Sequence, residues 1–234
     1  GVEFYSPVLC GQAGLDEIKT FCKFAKGIPV NTRCGLHLHL GTKDCSWHDM
    51  RKIWYAYALV ESAIYHLLPR RRSHTHFAVP YGISIGSPNI SVPNRFTGFF
   101  LHVSKIKNKK ELLETYYGET ADAEGVKNKK TFWKTICKAH QVDKRYNGCN
   151  LHSHFYRKTL EIRYHQGTLD YNKIYHWIVM NMNICKTALT INDRTLLSLK
   201  PGASAKKNFT RLLQWNRGYP KTQKYLKKQF QLSV

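Results

Sequence analysis

Two short stretches alternate apolar and polar residues with period two, and between them they narrow the folds open to this chain. In Cys34-Gly35-Leu36-His37-Leu38-His39-Leu40-Gly41 the leucines fall on one face and His37 and His39 on the other. In Thr159-Leu160-Glu161-Ile162-Arg163-Tyr164-His165 the row Leu160, Ile162 and Tyr164 faces away from Glu161, Arg163 and His165. Both read as strands with one apolar and one functional face. A face of Glu, Arg and His is expensive to bury unless its groups are paired, bound to metal or wet, so it suggests the wall of a cleft. Glycines on both sides of the His pair permit close backbone approach by a ligand. A carboxylate with imidazoles can hold a divalent cation, and an Arg fork can grip phosphate or carboxylate oxygens. The same residues also fit a cross-strand ion-pair surface, and periodicity alone leaves both readings open. The pairs His74/His76 and His152/His154 read as surface or structural histidines.

The remaining pattern is mixed. Val2 to Leu9 has strand-like apolar density that Pro7 ends, and Gly11 to Gly14 reads as a turn. Leu15, Ile18, Phe21, Cys22 and Ala25 predict an amphipathic helix stopped at Gly27-Ile28-Pro29. Ser46 is placed to cap a helix whose apolar stripe, from Met50 to Leu67, is wide enough to predict burial. Pro69 to Asn94 reads as a long functional loop, Phe99 to Val103 as a strand and Asn108 to Tyr117 as a short helix. Gly118 to Lys130 reads as a flexible connection, Thr131 to Ala139 as a helix, and Asp170 to about Ile191 as a long helix. Strands and helices interspersed without a βαβ rhythm predict an α+β fold with an antiparallel sheet.

Apolar residues make up 42% of the 234 and aromatics 13%, which excludes disorder along the whole length. The longest mostly apolar run, Ile53 to Leu68, is too short for a bilayer, so no membrane span is expected. Seven cysteines without a C-x-x-C pair suit a reducing compartment, the cytoplasm, or a viral or nucleoprotein particle. Lys and Arg number 37 against 15 Asp and Glu, a formal charge of +22 that calls for anionic partners.

Four blocks carry a family resemblance: Glu3-Phe4-Tyr5-Ser6-Pro7-Val8-Leu9, Cys34 to Gly41, Arg145-Tyr146-Asn147-Gly148-Cys149-Asn150-Leu151, and Thr159 to Asp170 with Gln166-Gly167-Thr168-Leu169 inside it. In order and spacing they resemble the amidoligases, among the glutamine synthetase-like carboxylate-amine ligases. The resemblance implies a curved antiparallel sheet with packed helices, a glutamine synthetase-like catalytic domain over residues 1–195, whose concave side binds ATP with Mg²⁺ or Mn²⁺. It implies that a carboxylate is activated as an acyl phosphate and attacked by an amine. Glu3 would then bind the metal nearer the substrate, and His37 with Glu161 the metal that bridges the ATP phosphates. Arg163 would hold the transferring phosphoryl group, Arg145 a phosphate or the substrate carboxylate, and His39 and His165 would support these ligands. The family's upstream G-x-E-x-E strand has no counterpart before Gly1, so the domain is expected to be N-terminally incomplete, to take those ligands from another chain in an oligomer, or to be a degenerate member that lacks full catalysis.

Residues 196–234 lie beyond these blocks and form a basic, aromatic-rich extension. Lys206, Lys207, Arg211, Arg217 and Lys224, interleaved with Phe209, Trp215, Tyr219, Tyr225 and Phe230, suit contact with nucleic acid or another acidic partner by phosphate pairing and base stacking. They equally suit a solvated basic tail whose aromatics pack on the domain. Two functions are therefore expected as alternatives. One is an ATP-dependent amide-forming ligase acting on an amine and a carboxylate, an amino acid or peptide. The other is a non-catalytic basic scaffold or nucleic-acid-binding protein of a viral or nucleoprotein assembly that retains the fold.

Overall fold

A computed structural model of the chain describes residues 3–31, 33–69, 72, 78, 92–123, 129–139 and 143–232. Among them, helices α1 (Gly11–Phe24), α2 (Trp47–His66), α3 (Val92–Lys105), α4 (Lys109–Ala123), α5 (Lys129–Ile136), α6 (His152–Arg157), α7 (Tyr171–Thr190), α8 (Asp193–Ser198), α9 (Ala205–Trp215) and α10 (Pro220–Leu232) accompany a small sheet. Its strands are β1 (Leu38–Gly41), β2 (Cys149–Asn150) and β3 (Thr159–Ile162), all pairs antiparallel, with β3 in the middle. The fold is α+β, as the mixed pattern predicts.

Helix α2 is the centre of the core. Ser46 and Asp49 form a reciprocal capping box at its start, which satisfies backbone donors that the first turn leaves free. Apolar residues run almost around the helix, from Met50 and Ile53 to Leu59, Ala63 and Ile64, so it is buried on most sides. The charges it buries are all engaged. Arg51 reaches Asp193 at 2.9 Å and the Ile106 carbonyl, and Lys52 donates to the Ile191 carbonyl at 2.9 Å, closing the end of α7. Tyr164 donates to Glu61 at 3.0 Å and so ties α2 to the sheet.

The sheet presents Leu160, Ile162 and Tyr164 to this helical core, all fully buried. Tyr164 packs edge-on to Tyr65 with ring centres 5.1 Å apart. Gly148 makes room for it, since a Cβ there would lie 2.0 Å from the Tyr164 ring.

Several elements differ from the sequence expectation. Phe99 to Val103 lies in α3, because Phe99, Phe100 and Val103 pack as one helical face on α2, with Trp54–Phe99 and Tyr55–Phe100 centres 5.0 and 4.9 Å apart. Residues 3–10 form no strand, having no neighbouring ladder to join, and α1 begins at Gly11 rather than after Gly14. His152 and His154 lie on α6 and are buried, bonded to Tyr117 at 2.6 Å and Thr42 at 2.9 Å, which agrees with a structural role. Helix α4 extends to Ala123, into the expected connection. His74, His76 and most of the expected loop from Pro69 to Asn94 lie outside the described residues. All seven cysteines are unpaired thiols. Among the described residues no helix is long and apolar enough to cross a membrane.

Helices α9 and α10 pack on this core rather than trailing from it. Phe209, buried, stacks on Phe230 at 4.0 Å and 12°, and Leu212 and Leu226 are buried beside them. Phe209→Ala is therefore expected to cost about 3–5 kcal/mol, read from urea unfolding followed by circular dichroism. A loss below about 1 kcal/mol would show that α9 is not part of the cooperative core.

Candidate functional site

The face of the sheet opposite the core gathers the polar residues of three separated segments. Register sets them side by side: Glu161 on the middle strand pairs with His39 of β1 on one side and Asn150 of β2 on the other. Asn150 donates from Nδ2 to Glu161 Oε2 at 2.6 Å, and Arg163 Nη1 donates to Oε1 at 2.5 Å. His37 Nδ1 and His39 Nε2 lie 3.4 and 3.6 Å from the same Oε1. His39 is held by Thr159 at 3.0 Å, and the His37 ring folds over Gly35, where a Cβ would meet its Nε2 at 2.9 Å. A side chain at Gly35 would push that ring aside.

A β-bulge lies beside this cluster. Leu38 pairs with Ile162, whereas the Leu36 N–H donates to the His165 carbonyl at 3.1 Å, so His37 alone faces both Arg163 and Tyr164. On the other edge the Arg163 N–H donates to the Gly148 carbonyl at 2.7 Å. The bulge leaves the Arg163 and Tyr164 carbonyls outside the ladder, and the buried guanidinium of Arg72 takes both, together with the His165 carbonyl that the Leu36 N–H also reaches. Its Nη2 donates to Arg163 and His165 at 2.7 and 3.1 Å, and its Nε to Tyr164 at 2.9 Å.

The bulge also separates His165 from Glu161 and Arg163. Its ring packs on Trp177 of α7 at 4.9 Å, and Nδ1 bonds the Gln166 carbonyl at 2.6 Å. Strict alternation put all three on one face, and the extra residue shifts the alternation by one.

Arg145 comes to the cluster through a ring. It sits on the short 3-10 turn Asp143–Tyr146, with its guanidinium carbon 5.1 Å from the centre of the Tyr146 ring, and the Arg163 guanidinium lies 5.6 Å from the same ring. Glu3 is exposed, bonds the Tyr5 hydroxyl and raises its pKa, and its charge reaches His37. The sequence therefore marks Glu3, His37, His39, Arg145, Glu161 and Arg163, and these come into one neighbourhood. Asn150, Tyr146 and Arg72 carried no assigned role. Asn150 and Tyr146 stand inside a recognised block, whereas nothing in the sequence distinguishes Arg72 from Arg70 and Arg71.

The electrostatics favour a charged carboxylate beside a neutral imidazole. Burial would raise the Glu161 pKa, but the His39 imidazole, the Arg163 charge and the Asn150 amide outweigh it and bring it to about 2. Burial, helped by the Arg163 charge, lowers His37 to about 4 against the opposing pull of Glu161 and Glu3. A carboxylate, a neutral imidazole and Asn150 Oδ1, buried without a partner among the described residues, suit one divalent cation by chemistry. They do not form a ready cage: among the described residues no three His, Cys, Asp or Glu side chains converge as ligands. Arg163 takes the oxygen that a cation would use.

The basic residues of the extension divide. Lys206, Lys207, Arg217 and Lys224 are exposed, whereas Arg211 is half-buried and donates to the Lys200 carbonyl at 3.0 Å. Of the aromatics, Phe209 is stacked inside and Tyr225 stacks on His176 at 4.4 Å.

A family model described as "Putative amidoligase enzyme" matches residues 1–185. No curated protein and no solved structure matches the chain.

Two outcomes follow from this geometry. Arg72→Met takes the donor from the Arg163 and Tyr164 carbonyls, each worth about 1–3 kcal/mol, while the His165 carbonyl keeps the Leu36 N–H, so a loss of at least about 2 kcal/mol is expected in urea unfolding, and a loss under about 1 kcal/mol would contradict the capping role. The second concerns pH. Burial first, joined by neighbouring cations, holds His37, His154 and His165 each at about 4 against an ordinary 6.5. The unfolded chain therefore takes up these protons first, and stability is complete above 6.5 and lost as pH falls toward 4. Glu161 keeps its contribution above 4.5 and loses it only as pH falls toward 2. The unfolding midpoint should thus fall through the histidine window in the wild type and in Glu161→Gln alike, with the variant flatter only in the more acidic window. A flat wild-type midpoint through the histidine window would contradict the neutral, buried histidines.

Proposed function

The chain belongs to the amidoligase enzyme family, and from that premise we propose that it is a carboxylate-amine ligase that consumes ATP and forms an amide through an acyl phosphate. The position of Arg163 carries this reading. Its guanidinium is 2.5 Å from Glu161 and lies against the ring that Arg145 also contacts. With His37 neutral, two guanidiniums against one buried carboxylate leave surplus positive charge, which suits polyphosphate. Phosphoryl transfer asks for cations around oxygens that share spreading charge, and little covalent chemistry from the protein.

In the proposed reaction an oxygen of the acceptor carboxylate attacks the terminal phosphorus of ATP and ADP departs. The amine nitrogen then attacks the acyl carbon, inorganic phosphate leaves, and the nitrogen releases its proton to solvent or a nearby base. Arg163 swings from Glu161 to the transferring phosphoryl group, while Arg145 holds a phosphate or the acceptor carboxylate. Tyr146 keeps the two guanidiniums apart and oriented. The Mg²⁺ or Mn²⁺ accompanying the nucleotide would be held by Glu161 and His37, a second ion nearer the substrate by Glu3, and both would draw charge from the phosphate oxygens. Asn150 and His39 hold the Glu161 carboxylate in place when Arg163 leaves it. An antiparallel sheet with its polar face turned away from the helices is compatible with a glutamine synthetase-like arrangement.

One observation favours a second reading, a scaffold that keeps the fold without catalysis: the described residues form no ready cation cage. Turnover separates the two. Purified protein with Mg²⁺, ATP and a panel of amino acids and dipeptides, with ammonia or primary amines, is expected to release ADP only when both substrates are present. Arg163→Ala and Glu161→Gln should each lower that rate by about 10²–10³-fold while the far-ultraviolet circular dichroism is retained. Unchanged turnover in both variants would remove the assigned site, and no ADP release by the wild type across the panel would favour the scaffold.

A further inference from the structure

We propose that the outer face of the α9–α10 hairpin docks on the phosphate backbone of double-stranded nucleic acid. The inference does not rest on the ligase reading, because these helices lie beyond the residues the family model matches.

The two helices run side by side. Phe209 near the start of α9 stacks on Phe230 near the end of α10, and Gln223 Nε2 donates to the Leu213 carbonyl at 2.8 Å. Thr222 and Leu226 of α10 are buried, and Tyr225 turns inward onto His176. Lys221, Lys224, Lys227 and Lys228 are then left exposed on the other side, with Lys206 and Lys207 exposed on α9. A helix of 13 residues is about 20 Å long, so these ammonium groups make an extended strip rather than a single pocket.

Among the described residues no ion pair neutralises the strip. Residues 200–234 contain no Asp or Glu. Among the described residues none of these six lysines forms an ion pair. The acidic group whose charge reaches α10, Asp170, acts on the inward-facing Tyr225. Like charges so closely set repel each other, and a line of phosphates relieves them by releasing condensed counterions.

The fold also selects the kind of anion. Single strands are held by bases stacked on exposed aromatic rings, and here Phe209, Tyr225 and Phe230 are stacked within the protein, leaving Tyr219 as the aromatic of this region more than 40% exposed. Contact is left to phosphates, which a duplex displays with its bases closed away. A membrane-surface helix must sink an apolar face into lipid, whereas the apolar face of α10 is committed to the core. An acidic peptide would need a groove or strand edge to order it, whereas these lysines stand on the exposed side of helices.

The test uses the full chain and fluorescence anisotropy with labelled DNA and RNA duplexes of about 20 base pairs, a single strand of equal length, polyglutamate, and anionic phosphatidylserine vesicles. With four to six phosphate contacts, duplex affinity should fall about 150- to 1,800-fold between about 50 and 200 mM salt. Replacing Lys221, Lys224 and Lys228 by Gln should lower the slope of log affinity against log salt by about 3. The same change at Lys105, Lys107 and Lys110, also exposed, should leave the slope unaltered and so controls for bulk charge. Tight binding of either duplex supports the proposal, and the tighter of DNA and RNA identifies its source. No salt-dependent duplex binding, a slope indifferent to the α10 substitutions, or equal or tighter binding of single strand, polyglutamate or vesicles would overturn it.

Discussion

A carboxylate buried on the middle strand of a three-stranded sheet must be paired, and much of what surrounds Glu161 follows from that requirement. Water is largely excluded, so each lone pair has to find a donor within the protein. The two neighbouring strands supply His39 and Asn150 by register, and the strand itself supplies Arg163 two residues on. The guanidinium then needs room, which the bulge opposite His37 provides. The bulge exposes carbonyls, which Arg72 covers from a different part of the chain. Breaking such a pair by removing one partner costs far more than exchanging both for apolar residues, because the remaining charge stays buried. In the proposed function a ligand that offers phosphate to Arg163 and a cation to Glu161 would replace each partner as it leaves, so that a pair stable alone would open for that substrate.

The helical layer serves the same end. Helix α2 is buried almost all round and carries its few charges to defined partners: Arg51 and Lys52 to Asp193 and the end of α7, and Glu61 to Tyr164. Tyr164 holds the core side of the strand whose next face is the polar cluster. Rigidity on one face of β3 therefore sets geometry on the other.

The polar cluster was largely legible because period two survives whatever packs around a strand. His37 with His39, and Glu161 with Arg163, could each be placed on one face of a strand from spacing alone, and the family resemblance joined the two pairs to each other and to Glu3 and Arg145. His165 was not separable, since no residue marks a bulge that inserts one position into one strand. Phe99 to Val103 illustrates the other difficulty. A short apolar run has no length in which to show its period, and packing on Trp54 and Tyr55 made it helical. Aromatics among the C-terminal lysines were equally ambiguous: the residues that would stack on bases also stack on each other, and only the fold shows Phe209 against Phe230. Arg72 was hidden for a simpler reason, as its partners are backbone carbonyls and leave no trace in side-chain pattern.

In the proposed function Arg163 exchanges Glu161 for phosphate. Nitrogen-15 NMR of arginine-labelled protein during titration with Mg²⁺ and ATP reads that exchange at the guanidinium itself. The Arg163 side-chain resonance should shift and sharpen saturably, Arg145 should follow, and Arg72, bound to backbone carbonyls, should stay fixed. An Arg163 resonance that does not move at saturating nucleotide, or that moves only together with Arg72, would contradict the account.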